Sequence, residues 1–193
     1  MLARISGKIV NWQIKTGILS DEERAVYQYA YELLLNQVIN IFLAVLIAVV
    51  FAAPIPVLLF LISYIPLRSF CGGYHADTNL GCTIVSALLI CCVCWIYQNF
   101  RESFLMIYYP LIYLISGYLV IRYAPVPAQN KPLDETETVR YRRKSRILWL
   151  LEAAIGIVLY FLQREYGVVI AVSHLFLACM MIVGKLKNNS FNK

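Results

Sequence analysis

The sequence predicts an all-α integral membrane protein with six transmembrane helices, two of them short and joined as a proline-containing hairpin, plus an N-terminal amphipathic helix. Three observations predict it. Of the 193 residues, 61% are apolar and only 15% charged, with a mean hydropathy of +0.68; a water-exposed globule carries about 25% charged and 45–50% apolar residues. The apolar residues gather into runs near the length of about 17–25 residues that a bilayer demands. Lys and Arg gather between those runs, alternately many and few, as the positive-inside rule requires. The formal charge of +6 therefore concerns membrane orientation, and no nucleic-acid partner is implied. Disorder, collagen and a secreted disulfide framework are excluded by the same composition.

The chain reads as one polytopic domain: residues 1–37 N-terminal and cytoplasmic, 38–184 the six-span bundle, 185–193 a cytoplasmic tail. No cleavable signal peptide is expected, because the first long apolar run begins near residue 38. Before it, Leu2, Ile5, Ile9 and Trp12 recur at helical spacing beside Arg4, Lys8 and Lys15. That pattern suits an amphipathic helix on the inner membrane surface, or equally a helix packed on the spans. Ser20-Asp21-Glu22-Glu23 reads as a capping box opening a second helix. Residues 38–67 are too many for one upright helix, and Pro54-Ile55-Pro56 in their middle disfavours helix continuation; a tight hairpin is expected. Residues 80–97, 104–121, 147–162 and 168–183 are plain spans.

Basic residues orient these spans. Residues 122–146 hold Arg122, Lys131, Arg140, Arg142, Arg143, Lys144 and Arg146, and the tail holds Lys185, Lys187 and Lys193. The intervening short loops hold Arg101 and Arg164 alone. The basic segments, the loop near residues 63–79 and both termini are thus placed in the cytoplasm.

Chemistry concentrates in that 63–79 loop and the residues just after it. Most of the six cysteines lie inside spans as small packing residues, and the Cys91–Cys94 run has no His or carboxylate beside it, so neither a metal nor a cofactor is implied. Cys82 differs, because it lies at the cytoplasmic end of a span, seven residues after His75. A thiol becomes a strong nucleophile when a neighbouring imidazole takes its proton. On one continuous helix that spacing separates the Cα atoms by about 10.5 Å, too far for a hydrogen bond. A catalytic pair therefore needs a backbone break, which Gly72-Gly73 and Gly81 permit. The helix then starts near Asn79 or Asp77, with Cys82 in its first turn, where the helix dipole favours a thiolate. The plainer reading of these glycines is an ordinary loop.

Arg68, Gly72-Gly73-Tyr74-His75-Ala76 and Cys82, set between spans, resemble the signature of the accessory gene regulator B family. Ala124-Pro125, Asn130-Lys131-Pro132-Leu133 and the basic residues from Arg140 to Arg146 are similar to that family's basic cytoplasmic loop. The resemblance implies a membrane cysteine endopeptidase that cuts the C-terminal part from an autoinducer propeptide and promotes closure of a thiolactone or lactone ring. It implies Cys82 as nucleophile, His75 as general base, and Arg68 and Gly73 as residues needed for activity. It places Lys131 at the end of a lysine cluster, which Gln129 and Asn130 interrupt here. A homodimer fits the family.

Glu32, Asp77 and Ser86 are candidates to orient or support the pair. Arg140, Arg142, Arg143 and Lys144, with Lys131, are candidates to dock an acidic propeptide tail; their plainer role is topogenic, with attraction to anionic lipid. Glu152 is an intramembrane carboxylate and so a functional candidate, and His174 reads as a hydrogen-bonding residue of the bundle interior. The alternative class is a small peptide transporter, which calls for charges deep in several spans.

Overall fold

The computed structural model describes residues 2–74, 76, 78–99, 104–127 and 133–191. His75, Asp77 and Lys131 lie outside the described residues. The described chain is built from α-helices: α1 (Leu2–Lys15), α2 (Arg24–Val50), α3 (Pro54–Cys71), α4 (Asn79–Asn99), α5 (Phe104–Tyr123), α6 (Glu135–Leu162) and α7 (Arg164–Phe191), with a 3₁₀ turn, Asp21–Glu23, leading into α2. Among the described residues five helices are long and apolar enough to cross a membrane, namely those at Asp21–Val50, Pro54–Cys71, Asn79–Asn99, Glu135–Leu162 and Arg164–Asn189. Helix α5 adds a further apolar helix of 20 residues.

The expected break at Pro54 is present. Helix α2 ends at Val50, Ala52 takes φ +48°, and Pro54 opens α3, where a missing backbone N–H costs nothing. The two arms are not short, however. Helix α2 starts at Arg24 and runs unbroken for 27 residues, since residues 24–37 contain no Gly or Pro to stop it. The capping box that opens it is real: the Glu23 carboxylate accepts from the Ser20 backbone N–H at 3.2 Å and from its hydroxyl at 2.8 Å. Helix α1 packs back on this N-terminal half, burying Ser6 and Val10, while Ile5 and Trp12 stay exposed. The packed alternative for α1 is therefore the observed one, and its outer apolar residues remain free to meet a membrane surface.

A second correction concerns the basic run. Residues 140–146 lie not in a loop but on the first turns of α6, which begins at Glu135. Asp134 caps it, accepting from the Glu137 N–H, and the Glu137 carboxylate accepts from the Asp134 N–H. Arg, Lys and Glu are good helix formers, so the capped stretch continues straight into the apolar span. Lys185 and Lys187 likewise lie on the end of α7 rather than on a separate tail.

Helix α7 is the centre of the bundle. Of its most apolar window 67% is buried, against 17% for that of α2 or α4, and it contacts α3, α4, α5 and α6. A helix apolar on all faces belongs inside. Between α3, α6 and α7 lies a buried polar network. The Ser63 hydroxyl donates to Glu152 Oε2 at 3.0 Å, His174 Nε2 lies 3.1 Å from the same oxygen, and Ser63 and Ser173 share a hydrogen bond. His174 is fully buried. The intramembrane carboxylate thus pairs inside the bundle, with Ser63 and His174.

Candidate active site

The chain between α3 and α4 is where the sequence placed its chemistry, and three neighbours hold it. Helix α3 ends at Cys71, after which Gly72 and Gly73 take φ of +69° and +124°, conformations that a Cβ disfavours. This stretch pairs with the residues after α5: Val126 N–H donates to the Cys71 carbonyl at 2.8 Å and Gly73 N–H to the Val126 carbonyl at 3.3 Å. On the other side Tyr74 N–H donates to the Met180 carbonyl of α7 at 2.8 Å. Arg68, in the last turn of α3, folds back and donates through Nη2 to the Tyr74 carbonyl.

Glycine is needed here for space as well as conformation. A Cβ on Gly73 would lie 2.6 Å from Arg68 Nη1 and 2.8 Å from the Met180 carbonyl oxygen. On the facing helix, a Cβ on Gly184 would strike Gly73 and the Tyr74 nitrogen. The segment that leads into residue 75 is therefore clamped between Arg68, the residues around Val126, and α7. Gly184, Met180 and Val126 were not singled out from the sequence. A glycine near the end of an otherwise apolar span was their one visible signal.

Beyond residue 75 the chain turns back. A side chain at Gly81 would press on the Ala76 methyl at 3.0 Å, so Ala76 lies against the turn that carries Cys82. Helix α4 begins at Asn79, as expected, and Thr78 caps it. The Thr78 hydroxyl accepts from Gly81 N–H at 3.1 Å, and its carbonyl accepts the first helical bond, from Cys82 N–H at 3.1 Å. Cys82 is thus in the first turn, half-buried and free of any disulfide, at the positive end of the helix dipole.

The remaining expected residues divide. Arg68 is in the last turn of α3 and Cys82 in the first turn of α4, so the two lie at one end of the bundle. Ser86 lies one turn beyond Cys82 and is half-buried. Glu32 accepts from the Ser6 hydroxyl of α1 at 3.3 Å, and one turn along α2 Asn36 accepts from Thr83, the neighbour of Cys82, at 3.3 Å. Arg140, Arg142, Arg143 and Lys144 are all exposed on α6. Lys144 sits over the Phe70 ring at 5.0 Å, at the end of α3 that carries Arg68. Arg142 faces elsewhere, lining a cavity beside α5 with Arg122 and Arg146.

These features fit the double glycine, the following histidine and the cysteine of one family, and comparison of the whole chain decides the matter. The profile of accessory gene regulator B matches residues 4–183. The chain belongs to the accessory gene regulator B family. An AgrB-like protein 2 of Clostridium perfringens strain 13 is 26% identical over 171 residues, covering 83% of this chain and 79% of that protein. An AgrB-like protein of Halalkalibacterium halodurans is 32% identical over 112 residues, 58% of this chain and 52% of the relative. The accessory gene regulator protein B of Staphylococcus intermedius is 24% identical over 90 residues, 47% of each chain. No solved structure matches. Membership, together with the apolar helices, makes this a multi-pass membrane protein of accessory gene regulation, a quorum-sensing function.

Proposed function

We propose that this accessory gene regulator B protein is a membrane cysteine endopeptidase that cuts the C-terminal part from an autoinducer propeptide and passes the rest on as a ring. The observation that carries the reading is the clamp. Residues 72–74 are held from three sides, Ala76 folds onto Gly81, and Cys82 occupies the first turn of α4. A loop fixed on both sides of residue 75 and returning to Cys82 supports a His75–Cys82 pair.

In this mechanism His75 takes the proton from Cys82, and the thiolate attacks a propeptide carbonyl. The imidazolium then gives that proton to the leaving amine, so the C-terminal fragment departs and a thioester remains. An internal Cys thiol or Ser hydroxyl of the bound peptide loses its proton to His75 and attacks the thioester. A thiolactone or lactone forms and Cys82 is released as the thiol. Exclusion of water at the membrane boundary protects the acyl group.

The basic end of the bundle is assigned to the cytoplasm by the positive-inside rule, and a homodimer accompanies the reading. Lys144 lies against Phe70 at the end of α3 and Arg140 is one turn before it on α6, which supports these two as the residues of the run that dock an acidic propeptide tail. Lys131 belongs to the same proposal.

The deciding experiment co-expresses a propeptide of this chemistry with wild type, Cys82→Ala and His75→Ala and follows fragments by mass spectrometry. Cleavage is expected only from wild type, with all three proteins inserted equally in membrane. Cleavage by either variant at the wild-type rate overturns the assignment. Arg140→Glu with Lys144→Glu is expected to raise KM with kcat kept; an unchanged KM removes the docking role.

A further inference from the structure

The basic run of α6 is split by helix geometry. Successive residues turn by about 100°, so Arg142 and Arg146 share a face that Arg140 and Lys144 do not. Arg142 and Arg146 turn toward α5 and there line, with Arg122, Tyr118 and Ile121, a cavity of about 430 Å³, within the range of sites for small ligands. We infer that this cavity binds the headgroup of an anionic phospholipid, a site separate from the proposed peptidase centre.

Four observations carry the assignment. Tyr118 and Ile121 are 61% and 52% exposed on the outward side of α5, so the cavity has an apolar floor that opens toward lipid rather than toward the clamped loop. Arg146 is the last charge of α6 before the apolar run from Ile147, and Arg122 is the first charge after the apolar run of α5. Both guanidinium groups therefore sit where the hydrocarbon ends and phosphates lie. Among the described residues no salt bridge engages Arg122, Arg142 or Arg146. Arg146 is braced by donating to the Ile121 carbonyl at 2.7 Å, which fixes one guanidinium and leaves further N–H groups for a ligand. Guanidinium forks match a phosphate's paired oxygens, while the apolar floor takes the adjoining glycerol and acyl carbons.

The test uses the purified full-length protein in micelles, titrated with phosphatidylglycerol or phosphatidylcholine, with retained lipid counted by native mass spectrometry. Wild type is expected to retain phosphatidylglycerol in preference. Arg122→Gln/Arg142→Gln/Arg146→Gln is expected to lose roughly a hundredfold, at about fivefold for each basic group near the membrane surface. Arg4→Gln/Lys8→Gln/Lys15→Gln removes the same charge from α1 and is expected to leave retention unchanged. Should the triple variant fail to fold, Arg142→Gln alone is read for its about fivefold share.

Equal losses in the two triple variants, or no preference between headgroups, would mean diffuse attraction and overturn the site. Displacement of the lipid by millimolar inorganic phosphate would make it a free-anion site, and displacement by an acidic peptide would give the cavity to the propeptide; either result overturns the lipid assignment. Because the readout is retained lipid, the outcome does not depend on whether the peptidase reading holds.

Discussion

Gly73→Ala puts the clamp to its sharpest test. Gly73 has φ +124°, and placing a Cβ-bearing residue in left-handed space costs about 1–2 kcal/mol. The new methyl would also lie 2.6 Å from Arg68 Nη1 and 2.8 Å from the Met180 carbonyl oxygen. A guanidinium can swing away, but Met180 belongs to the central helix, whose backbone cannot yield cheaply. Overpacking of that kind costs about 1–3 kcal/mol. The loop relieves both costs by leaving α7, at the loss of the Tyr74–Met180 hydrogen bond, worth about 1 kcal/mol. Departure is the cheaper course, so the clamped state becomes the minor one. Misplacement by about 1 Å is enough to cost about a hundredfold in rate, and that fall in propeptide cleavage is expected with insertion and thermal stability of the bundle nearly unchanged. Gly17→Ala is the matched control, since Gly17 has φ +75° but nothing within 4 Å of its Cβ position; it is expected to cleave at the wild-type rate. Wild-type cleavage by Gly73→Ala, or an equal loss in Gly17→Ala, would refute the clamp.

Three further outcomes are expected. Gly184→Ala presses on the same segment from the other wall, so it should reproduce the Gly73→Ala defect. The double variant should be no worse than either single one, and additive losses in the cleavage assay would show two separate sites. Asp134 is held below the ordinary carboxylate range, chiefly by the Glu137 N–H and then by the Thr136 hydroxyl. A depressed folded value means that its contribution is present above the unfolded value and lost as pH falls through the folded one. Amides at the start of α6 should therefore lose exchange protection in acid, and Asp134→Asn, which keeps an acceptor but does not titrate, should flatten that dependence. Glu152→Leu removes the carboxylate that partners fully buried His174 Nε2. A stranded buried polar group costs about 1–3 kcal/mol, to be read as lost thermal stability in micelles; an unchanged melting temperature would show that the network contributes nothing net.

Much of this was legible because local rules and the tertiary fold agree. Pro54 ends one helix and starts the next, and Ser20 with Glu23 caps α2, through backbone chemistry a few residues wide. Cys82 is expected in a first turn because a hydrogen-bonded pair with His75 at that spacing needs a break in the helix, and α4 does begin at Asn79. The misplaced basic run shows the opposite weighting. Its charges suggested a loop, although Asp134 and Glu137 already carried the capping pattern and the residues between are good helix formers. What no local pattern shows is the partner of the double glycine. Gly184 is more than a hundred residues away along the chain, and its meaning exists only once α7 lies against the loop.

The polar network and the clamp also belong to one construction, which bears on whether the bundle conducts or cuts. Ser63 precedes Arg68 by five residues on α3, and His174 precedes Met180 by six on α7. At 1.5 Å per residue the network lies about 7–9 Å deeper than the clamp along the same two helices. A transport path needs polar groups open to a passing substrate. Here Glu152 is only 13% exposed, and Ser63 and His174 both engage it while Ser63 also bonds Ser173. Apolar clusters flank them, around Phe60 and Val172 on one side and around Leu67 and Leu177 on another. Such a closed network fixes α3, α6 and α7 against one another, and α3 and α7 are the helices that grip the loop before residue 75. That arrangement serves a site needing a rigid base beneath it, and so favours the peptidase over the transporter.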